Sequence, residues 1–302
     1  MVGRSAYALE RLARRLKATS MREHFPGRLF IDAMFFPADV ARSRNTYFDV
    51  FGNYPRLLWP QTLNEKLQHS KLFNRRARYT SFADKIAVRE YVRARVGPEV
   101  LTDVYWVGTD LQEARSHALP DRFVVKANQG SGSTLFVADA SELDWTAAAL
   151  ATRQWLGHDQ SVHFAEWEYR WIRPALLIEE YLDGPNGGVP TDFKFFCFHG
   201  RVQLVDVHVS RFAAYTRSFY DRDFNLLPVG SRIPRHQEPI ARPKCFDAMR
   251  QIAERLAADE AFLRVDLYDV GRPIFGELTL HPNGGRVQFD PPEWDLRLGR
   301  MW

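Results

Sequence analysis

Two strand-like segments near the end of the chain constrain the fold more than any other feature. Residues 264–270 and 273–279 are rich in branched and aromatic side chains, and Gly271-Arg272 between them suits a two-residue type II′ turn with glycine first. Pairing Val270 with Pro273 predicts three further opposed pairs: Tyr268 with Phe275, Asp266 with Glu277, and Arg264 with Thr279. The chain is therefore expected to bring two carboxylates face to face on an antiparallel sheet.

Two opposed carboxylates need a compensating positive charge. Directly opposed side chains lie about 4.5 to 5.5 Å apart, and like charges at that distance destabilise a sheet. Mg²⁺ takes one or two protein carboxylates and leaves its other positions to water and phosphate oxygens. We therefore predict that Asp266 and Glu277 bind a divalent cation. The alternative is a structural pair neutralised by Arg264, and a one-residue register slip would remove the site altogether.

A glycine-rich segment after Lys126 is the second feature that suggests phosphate binding. Gly130, Ser131 and Gly132 form a flexible loop whose backbone N–H groups can surround phosphate oxygens. It is not a P-loop, because the lysine precedes the glycines and the loop leads into another strand at residues 134–138. We predict a β-hairpin flap that closes over a triphosphate, with an ordinary glycine-rich turn as the alternative.

Polar residues on two further strands point to the same chemistry. The segment from Glu179 to Leu182 forms the end of an apolar strand. At such a position, the backbone of a strand can pair with an adenine edge. Asp192 and Lys194 share one face of a strand whose other face is apolar. Between these strands, residues 183–190 are polar and glycine-rich, which is typical of a hinge.

Composition indicates a globular cytoplasmic protein. Hydrophobic residues make up 45% of the 302 residues and charged residues 26%, and two cysteines are too few for a disulfide framework. No apolar stretch approaches the roughly 18 residues that a membrane span needs. Nucleic-acid binding is not expected, because the basic residues do not form a recognisable motif with aromatic ones.

The first 30 residues carry most of the positive charge, with seven Lys and Arg against two Glu. Residues 9–17 have the pattern of a basic amphipathic helix, and a peripheral contact of residues 5–18 with anionic lipid or a polyanionic glycan is one interpretation. The other is a solvated helix that packs its leucines on the body of the protein.

We divide the chain into a basic helical region, 1–60, and two lobes, 61–182 and 183–302. The first predicted helix of the lobes begins at a capping box formed by Thr62 and Glu65. A second helix is predicted over residues 82–95, ending near Gly97-Pro98, and two more over residues 143–155 and 243–258. The remaining predicted strands are 122–126, 175–182, 192–199, 201–209, 262–269 and 274–281.

Six motifs in this order resemble those of ATP-grasp enzymes. They are Asp84-Lys85, Val124-Val125-Lys126 with its glycine loop, Ile178 to Leu182, Asp192-Phe193-Lys194, Arg264-Val265-Asp266, and Gly276 to Thr279. A narrower similarity is to the TupA-like ATP-grasp proteins of bacterial surface polysaccharide clusters, over about residues 60–299. It is carried by Leu63 to Lys66, Asp84 to Arg89, Glu166 to Tyr169, Asp192 to Phe198, and Phe219 to Asp221.

The resemblance implies an α+β fold in which two lobes with antiparallel sheets hold ATP between them. It implies that Lys85 and Lys126 hold the α- and β-phosphates under the flap, and that Asp192 and Lys194 line the nucleotide pocket. Glu179 and the backbone from Glu180 to Leu182 would hold adenine. Asp266 and Glu277 would bind Mg²⁺, as the strand pairing suggests independently.

One position departs from the general ATP-grasp pattern. Many members have asparagine two residues after the metal-binding glutamate, where this chain has Thr279. A hydroxyl can ligate Mg²⁺ or hold a metal-bound water, so Thr279 is the predicted third ligand, although its identity stays open.

The expected activity is ATP-dependent ligation of a carboxylate to an amine through an acyl phosphate. Arg264 and Lys194 are the predicted catalytic residues, and the candidates for substrate contact are His208, Arg211, Asn283 and Arg286. The resemblance implies a uronic acid or amino acid substrate and a bacterial surface polysaccharide as product. A glycosyltransferase and a non-catalytic nucleotide- or glycan-binding protein are the alternatives.

Overall fold

A computed structural model describes residues 3–18, 25–184, 188–209 and 215–302 of the protein. Helices α1 to α9 are, in chain order, Gly3–Lys17, Phe25–Phe51, Leu63–Phe73, Arg78–Ala83, Val88–Val96, Leu111–Ala114, Trp145–Gly157, Phe246–Ala257 and Glu293–Gly299. Strands β1 to β9 are Val104–Gly108, Phe123–Ala127, Thr134–Val137, Leu176–Glu180, Thr191–Phe198, Arg201–Val209, Thr216–Tyr220, Phe262–Asp269 and Pro273–Thr279. Across these described ranges, no helix has both the length and the apolar character to cross a bilayer.

The first sheet has the strand order β1-β4-β2-β3 and is antiparallel throughout. Phe123, Val125 and Ile178 are fully buried and pack with apolar residues of α6 and α7. Strands β2 and β3 form the predicted hairpin, in which Lys126 lies opposite Thr134. The glycine-rich loop is therefore the tip of a flap that projects from this sheet.

The second sheet has the order β7-β6-β5-β8-β9 and is also antiparallel. Period-2 alternation on β5 buries Phe193, Phe195 and Cys197 in one core cluster with α5 and α8. Asp192 and Lys194 project from the opposite face, as predicted. That face also carries Phe196 and Phe198, which pack with α3 and α9.

The pairing of β8 with β9 corrects the predicted turn. Asp269 lies opposite Pro273, so three residues form the turn and the expected pairing of Val270 with Pro273 is wrong. The expected pair of Tyr268 with Phe275 is wrong for the same reason.

A bulge then restores the predicted register farther along the hairpin. It lies between Asp266 and Leu267, and the extra residue on the β9 side is Gly276. A Cβ atom at Gly276 would lie 3.1 Å from the backbone oxygen of Asp266, so glycine suits this crowded position. Beyond the bulge, the predicted pairs of Asp266 with Glu277 and of Arg264 with Thr279 are both confirmed.

The predicted helix over residues 82–95 is interrupted. α4 ends at Ala83 and α5 begins at Val88, although its end beside Gly97 is as predicted. Between the helices, Oδ1 of Asp84 accepts hydrogen bonds from the backbone of Ile86 at 2.9 Å and from the side chain of Asn128 at 3.0 Å. The local turn made by the Asp84 side chain competes with the helix.

Other helices match the sequence closely. The capping box of α3 is present, because the Thr62 side chain accepts from the Glu65 backbone and the Glu65 carboxylate accepts from the Thr62 backbone. α1 packs on α2, but its buried face is made of Ala6, Glu10 and Ala13. Leu9 and Leu12 are 42% and 48% exposed, whereas Leu16 packs against a core cluster with α2, so only one of the three leucines packs on the body as that alternative expected.

Candidate functional site

A cavity of about 510 Å³ opens on the polar face of the second sheet. Its lining includes Ser131 of the flap, charged residues of β5, β6, β8 and β9, and the segment that follows β9. Of the predicted site residues, the cavity wall contains Ser131, Lys194, His208, Arg264, Glu277, Thr279, Asn283 and Arg286. Arg211 lies outside the described residues.

Four charged side chains form a row on the polar face of the second sheet, and three of them, Lys194, Asp206 and Glu277, line the cavity. The register places Lys194 of β5 between Asp206 of β6 and Asp266 of β8, and Asp266 opposite Glu277 of β9. Opposed side chains project from the same face of a sheet. The row therefore concentrates three carboxylates around one ammonium group.

Arg264 connects the three residues that were predicted to bind a metal. Its Nη2 atom donates to Oδ2 of Asp266 at 2.7 Å, to Oε1 of Glu277 at 2.9 Å and to Oγ1 of Thr279 at 2.9 Å. The Thr279 hydroxyl in turn donates to Oε1 of Glu277 at 2.9 Å. Oxygens of all three residues thus converge on a single atom, and Arg264 neutralises the acidic pair as the alternative interpretation expected.

Lys194 binds the same acidic group from its other side. Its Nζ lies 2.7 Å from Oδ2 of Asp192 and 2.5 Å from Oδ2 of Asp266. Burial works against the charge on Lys194, but Asp192 and Asp266 outweigh it and raise the pKa of the ammonium group. Lys194 is therefore held protonated within the cavity wall.

The two paired carboxylates are electrostatically different. Burial would raise the pKa of Glu277, but Arg264, Lys194 and Lys85 outweigh burial and lower its pKa to about 2. Burial is the largest effect on Asp266 and raises its pKa despite Arg264 and Lys194. Glu277 is the more accessible of the two, with 37% of its side chain exposed against 2% for Asp266.

Lys85 links the flap to this acidic row. Its backbone N–H donates to the Asn128 oxygen at 3.0 Å, and its Nζ donates to the Gly130 oxygen at 2.5 Å. Burial lowers the pKa of Lys85, and Lys126 adds to that effect, whereas the charge of Glu277 opposes it. The lysine predicted to hold phosphates therefore lies within electrostatic range of both the flap and the metal-ligand pair.

The flap itself has the backbone that the sequence required. Gly130 and Gly132 adopt φ angles of 74° and 83°, which favour glycine. A Cβ atom on Gly130 would also lie 3.1 Å from the side chain of Gln160, whereas Gly132 has free space around it.

Glu179 is buried beside the flap hairpin, where it forms an ion pair with Lys126. Its carboxylate also accepts from the Thr102 hydroxyl at 2.9 Å, and Nη1 of Arg89 lies 3.8 Å away. Burial would raise the pKa of Glu179, but Lys126 outweighs it and the pKa is lowered. Sequence reasoning missed Thr102 and did not select Arg89 as a site residue, since nothing in their spacing indicates this contact.

Two residues predicted to contact adenine lie at the end of β4. The backbone N–H of Glu180 donates to the Asp103 oxygen at 2.9 Å, and the side chain is half-buried. Leu182 follows the strand and is also half-buried. The adenine contact remains a prediction for both.

His208 belongs to a buried polar cluster on β6 and β7 that sequence reasoning missed. Asp206 accepts two hydrogen bonds from Arg217, at 2.6 and 2.5 Å, and its Oδ2 lies 3.0 Å from Nε2 of His208. The Tyr215 hydroxyl lies 2.7 Å from Nδ1 of the same histidine. All four residues line the cavity.

A second group of residues that were not predicted as site residues lies at the cavity, where Glu166 and His281 belong to the lining. Glu166, Glu168 and His281 are buried, and they offer ligand atoms that all lie within 4.8 Å of one another. Glu166 and Glu168 belong to one of the motifs in the resemblance, which was the available signal. The predicted contacts Asn283 and Arg286 line the same part of the cavity.

Several solved structures are similar to this chain at low sequence identity. An L-amino acid ligase from Bacillus licheniformis is 14% identical with a TM-score of 0.47, over 86% of this chain and 57% of that one. A D-alanine-D-alanine ligase from Helicobacter pylori is 13% identical with a TM-score of 0.41, over 72% and 56%. The ATP-grasp ligase PsnB, complexed with minimal precursor, Mg and ADP, is 14% identical with a TM-score of 0.39, over 68% and 52%.

This chain thus spans little more than half the length of the solved structures it matches. Similarity at this level says nothing about its substrates. No curated protein matches the chain.

The model of the TupA-like ATPgrasp family matches residues 65–302. That range contains both sheets, the flap and the whole acidic row. The expected α+β architecture, with antiparallel sheets and a helical N-terminal region, is confirmed. The chain therefore belongs to the TupA-like ATP-grasp family.

Proposed function

We propose that the protein is an ATP- and Mg²⁺-dependent ligase that joins a carboxylate to an amine. The observation that carries this proposal is the convergence of Asp266, Glu277 and Thr279 on one nitrogen of Arg264, next to a cavity that Arg264, Glu277, Thr279 and Ser131 of the flap line. Such an arrangement suits the binding of a cation that also binds phosphate oxygens. The guanidinium of Arg264 beside it can donate hydrogen bonds to the transferred phosphoryl group.

The nucleotide would lie between the flap and the second sheet. Lys85 and Lys126 would hold the α- and β-phosphates, with backbone N–H groups of Gly130, Ser131 and Gly132 around them. Adenine would bind near Glu179, Glu180 and the backbone of Leu182. Asp192 would orient Lys194, with which it forms an ion pair at 2.7 Å.

The residues at the floor of the cavity fit Mg²⁺. Two carboxylates and a hydroxyl present oxygen atoms to one point, and oxygen is the ligand that Mg²⁺ prefers. Asp266, Glu277 and Thr279 would hold the ion, whose charge would offset that of the phosphate oxygens. Because Nη2 of Arg264 now binds the same oxygens, Arg264 would turn toward the substrate when the ion binds.

The proposed reaction has two steps. An oxygen of the substrate carboxylate bonds to the γ-phosphorus of ATP, and the bond from that phosphorus to the bridging oxygen breaks, releasing ADP. The amine nitrogen then bonds to the carbonyl carbon of the acyl phosphate, the amine loses a proton, and phosphate leaves. Arg264 and Lys194 would stabilise the transferred phosphoryl group and the tetrahedral oxyanion by charge-assisted hydrogen bonds.

The substrate class is proposed from the family likeness and the polarity of the cavity. Charged residues of both signs line it, among them His208, Arg217, Glu166 and Arg286, which suits a substrate that is itself charged. We propose a uronic acid or an amino acid as the carboxylate, incorporated into a bacterial surface polysaccharide by amide bonds in the cytoplasm.

The exposed face of α1 supports a proposed peripheral contact with the inner face of the plasma membrane. Leu9 and Leu12 are exposed on the same helix as the exposed Arg11 and Arg15. Basic helices with exposed leucines bind anionic lipid surfaces through apolar burial and charge attraction.

The test of the ligase proposal is nucleotide turnover. The protein is incubated with ATP, Mg²⁺, glucuronate, galacturonate and a pool of amino acids, and ADP and AMP are separated by chromatography. We expect ADP and inorganic phosphate in equal amounts, dependent on both a carboxylate and Mg²⁺. Release of AMP would indicate adenylation instead, and Mg²⁺-dependent ATP binding without turnover would indicate a non-catalytic protein.

A further inference from the structure

Glu166 is a buried carboxylate that faces the cavity without a role in nucleotide binding. Its residue is 7% exposed and lines the cavity, and it belongs to the segment that connects helix α7 to strand β4. Tyr169 of the same segment also lines the cavity; burial raises its pKa, and the charges of Glu166, Glu168 and Glu277 add to that effect. Glu166 therefore lies in the wall of the same cavity as Arg264 and Glu277.

The carboxylate next to Glu166 is fixed by its own partners. Nδ1 of His281 lies 2.7 Å from Oε1 of Glu168, and Nε2 of His281 lies 3.4 Å from the Ser70 hydroxyl. Lys71 is buried nearby and donates to the backbone oxygens of Phe164 and Gly284 at 2.7 and 2.8 Å. The 2.7 Å contact is a direct hydrogen bond, which argues against a metal ion held between His281 and Glu168.

A second observation points to a cationic ligand at this place. Oε2 of Glu168 is fully buried and has no hydrogen-bond partner in the part of the chain that the structure describes. One carboxylate oxygen of each glutamate and a ring nitrogen of His281 lie within 4.8 Å of one another, so Glu168 belongs to the same polar group as the cavity-lining Glu166. Buried carboxylate oxygens are costly unless hydrogen-bonded, and an ammonium group supplies three donors.

Arg286 gives the same part of the cavity a positive group. Its guanidinium stacks on the Phe164 ring at 3.9 Å, and its Nε donates to the Asn283 oxygen at 3.2 Å. Neither terminal nitrogen of Arg286 donates a hydrogen bond within the described ranges, and no ion pair within 4 Å joins it to Glu166. Those two nitrogens form a fork suited to a carboxylate.

The charge state of Glu166 supports a role in proton transfer. Burial and the charge of Glu168 raise the pKa of Glu166 to about 8, against the opposing effects of Lys71, Arg286 and Gln160. His281 faces it from the segment after β9. A group that titrates near neutral pH is well matched to general-base catalysis.

We propose that Glu166 and Arg286 form the acceptor site for a zwitterionic amine, an amino acid whose ammonium group binds Glu166 and whose carboxylate binds Arg286. Glu166 is also the general base for the ligation, which makes it a catalytic residue. This inference rests on the proposed ligase function and adds the acceptor side of that reaction to it.

The carboxylate of Glu166 takes one proton from the bound ammonium, leaving a neutral amine whose lone pair attacks the carbonyl carbon of the acyl phosphate. The carbon–oxygen bond to phosphate then breaks, and phosphate leaves with its electron pair. Glu166 releases its proton to solvent before the next turnover.

Hydroxylamine separates acyl-phosphate formation from the use of an amino acid. It is largely uncharged at neutral pH and needs no base, so it traps the acyl phosphate as a hydroxamate. Wild type and Glu166→Gln are each given ATP, Mg²⁺ and the carboxylate pool, with either hydroxylamine or the amino-acid pool as acceptor. We expect Glu166→Gln to form hydroxamate at close to the wild-type rate and to lose about a hundredfold or more in amide formation.

The pH dependence gives a readout that a purely structural role would not produce. Wild-type amide formation should rise with pH and level off above about pH 8, where Glu166 is ionised. In Glu166→Gln, the pH at which amide formation rises should shift upward, toward the higher pKa of the amine itself. Glu168→Gln removes a charge that raises the pKa of Glu166, so in this variant the pH at which amide formation rises should move to a lower value.

Arg286→Ala tests the second half of the site. We expect it to raise KM for amino acids while leaving KM unchanged for the corresponding amino acid amides, which lack the carboxylate. Equal loss of hydroxamate and amide formation in Glu166→Gln, or an unchanged pH profile, would overturn this inference alone. A wild-type protein that forms no hydroxamate with any carboxylate would overturn the proposed function, and this inference with it.

Discussion

The guanidinium of Arg264 holds Asp266 through two hydrogen bonds of 2.7 Å, from Nε to Oδ1 and from Nη2 to Oδ2. This bidentate geometry fixes the carboxylate in one orientation. Lys194 binds Oδ2 of the same carboxylate at 2.5 Å, so Asp266 carries two cationic partners at once. Its negative charge therefore balances these two cations in the protein alone, and the proposed metal ion would need the same charge.

Asp266→Asn should abolish ATP turnover in a protein that is less stable than wild type but still folded. The amide keeps the shape of the side chain but loses the charge that would bind Mg²⁺, so we expect turnover to fall by about two orders of magnitude or more. The measurement is ADP release at saturating Mg²⁺, with far-ultraviolet circular dichroism as the check on folding.

Asp223→Asn is the matched control, because Asp223 is exposed and away from the cavity lining. It should keep wild-type turnover. If Asp266→Asn kept its activity, the metal assignment would be wrong.

Lys85→Met should weaken ATP binding more than it weakens the fold. The change keeps the aliphatic stem but removes the ammonium that binds the Gly130 oxygen and would bind phosphate. A hydrogen bond to a charged group contributes about 1.5 to 3 kcal/mol, so KM for ATP should rise roughly tenfold to a hundredfold. Lys244→Met, at an exposed position, is the control and should leave KM unchanged. An equal effect of both changes would reject a phosphate contact for Lys85.

The acidic pair could be predicted from sequence because cross-strand pairing depends on local geometry. Strand type and a glycine at the turn were enough to place Asp266 opposite Glu277 and Arg264 opposite Thr279. The turn length was wrong, and a bulge at Gly276 corrected the register by one residue. Gly276 was visible in the sequence as a glycine within a strand, which is a recognised signal of a bulge.

The break before α5 was harder to predict, because a tertiary contact helps to hold it. Asp84 accepts from Asn128, and Lys85 donates to the same residue, which lies more than forty positions away in sequence. Glu168 and His281 meet across 113 positions, and Lys71 joins that group through backbone oxygens on both sides. Local pattern carries no information about such contacts, so Glu166 and Glu168 were not selected as site residues, whereas Arg286 was predicted as a substrate contact.

The exposed face of α1 predicts binding to anionic membranes. Replacing both Leu9 and Leu12 with serine should weaken binding to phosphatidylglycerol vesicles by about tenfold or more, since burying one leucine contributes about 1.5 to 3 kcal/mol. The measurement is cosedimentation with vesicles, and raised salt should weaken wild-type binding because arginines contribute.

Leu150→Ser on α7 is a suitable control, since Leu150 is 61% exposed on another part of the surface. It should bind vesicles as wild type does. Wild-type protein that stayed in the supernatant with these vesicles would reject the membrane contact.

Asp206→Asn should destabilise the protein most strongly at neutral pH. Asp206 is 1% exposed and accepts two hydrogen bonds from the buried Arg217. Removing one partner of a buried ion pair leaves the other charge uncompensated, at a cost of roughly 3 to 5 kcal/mol in the free energy of unfolding.

The pH dependence of that cost follows from the pKa of Asp206. Burial would raise this pKa, but Arg217 and His208 outweigh burial and hold it far below the ordinary value of 3.8. A lowered pKa in the folded protein stabilises it above the ordinary value, and the stabilisation is lost as the pH falls below that value. The difference in free energy of unfolding between wild type and Asp206→Asn should therefore be constant near neutral pH and shrink below about pH 4. Urea denaturation across this range measures it, with Asp223→Asn as the exposed control; a difference that did not shrink in acid would show that the Asp206 charge is not its source.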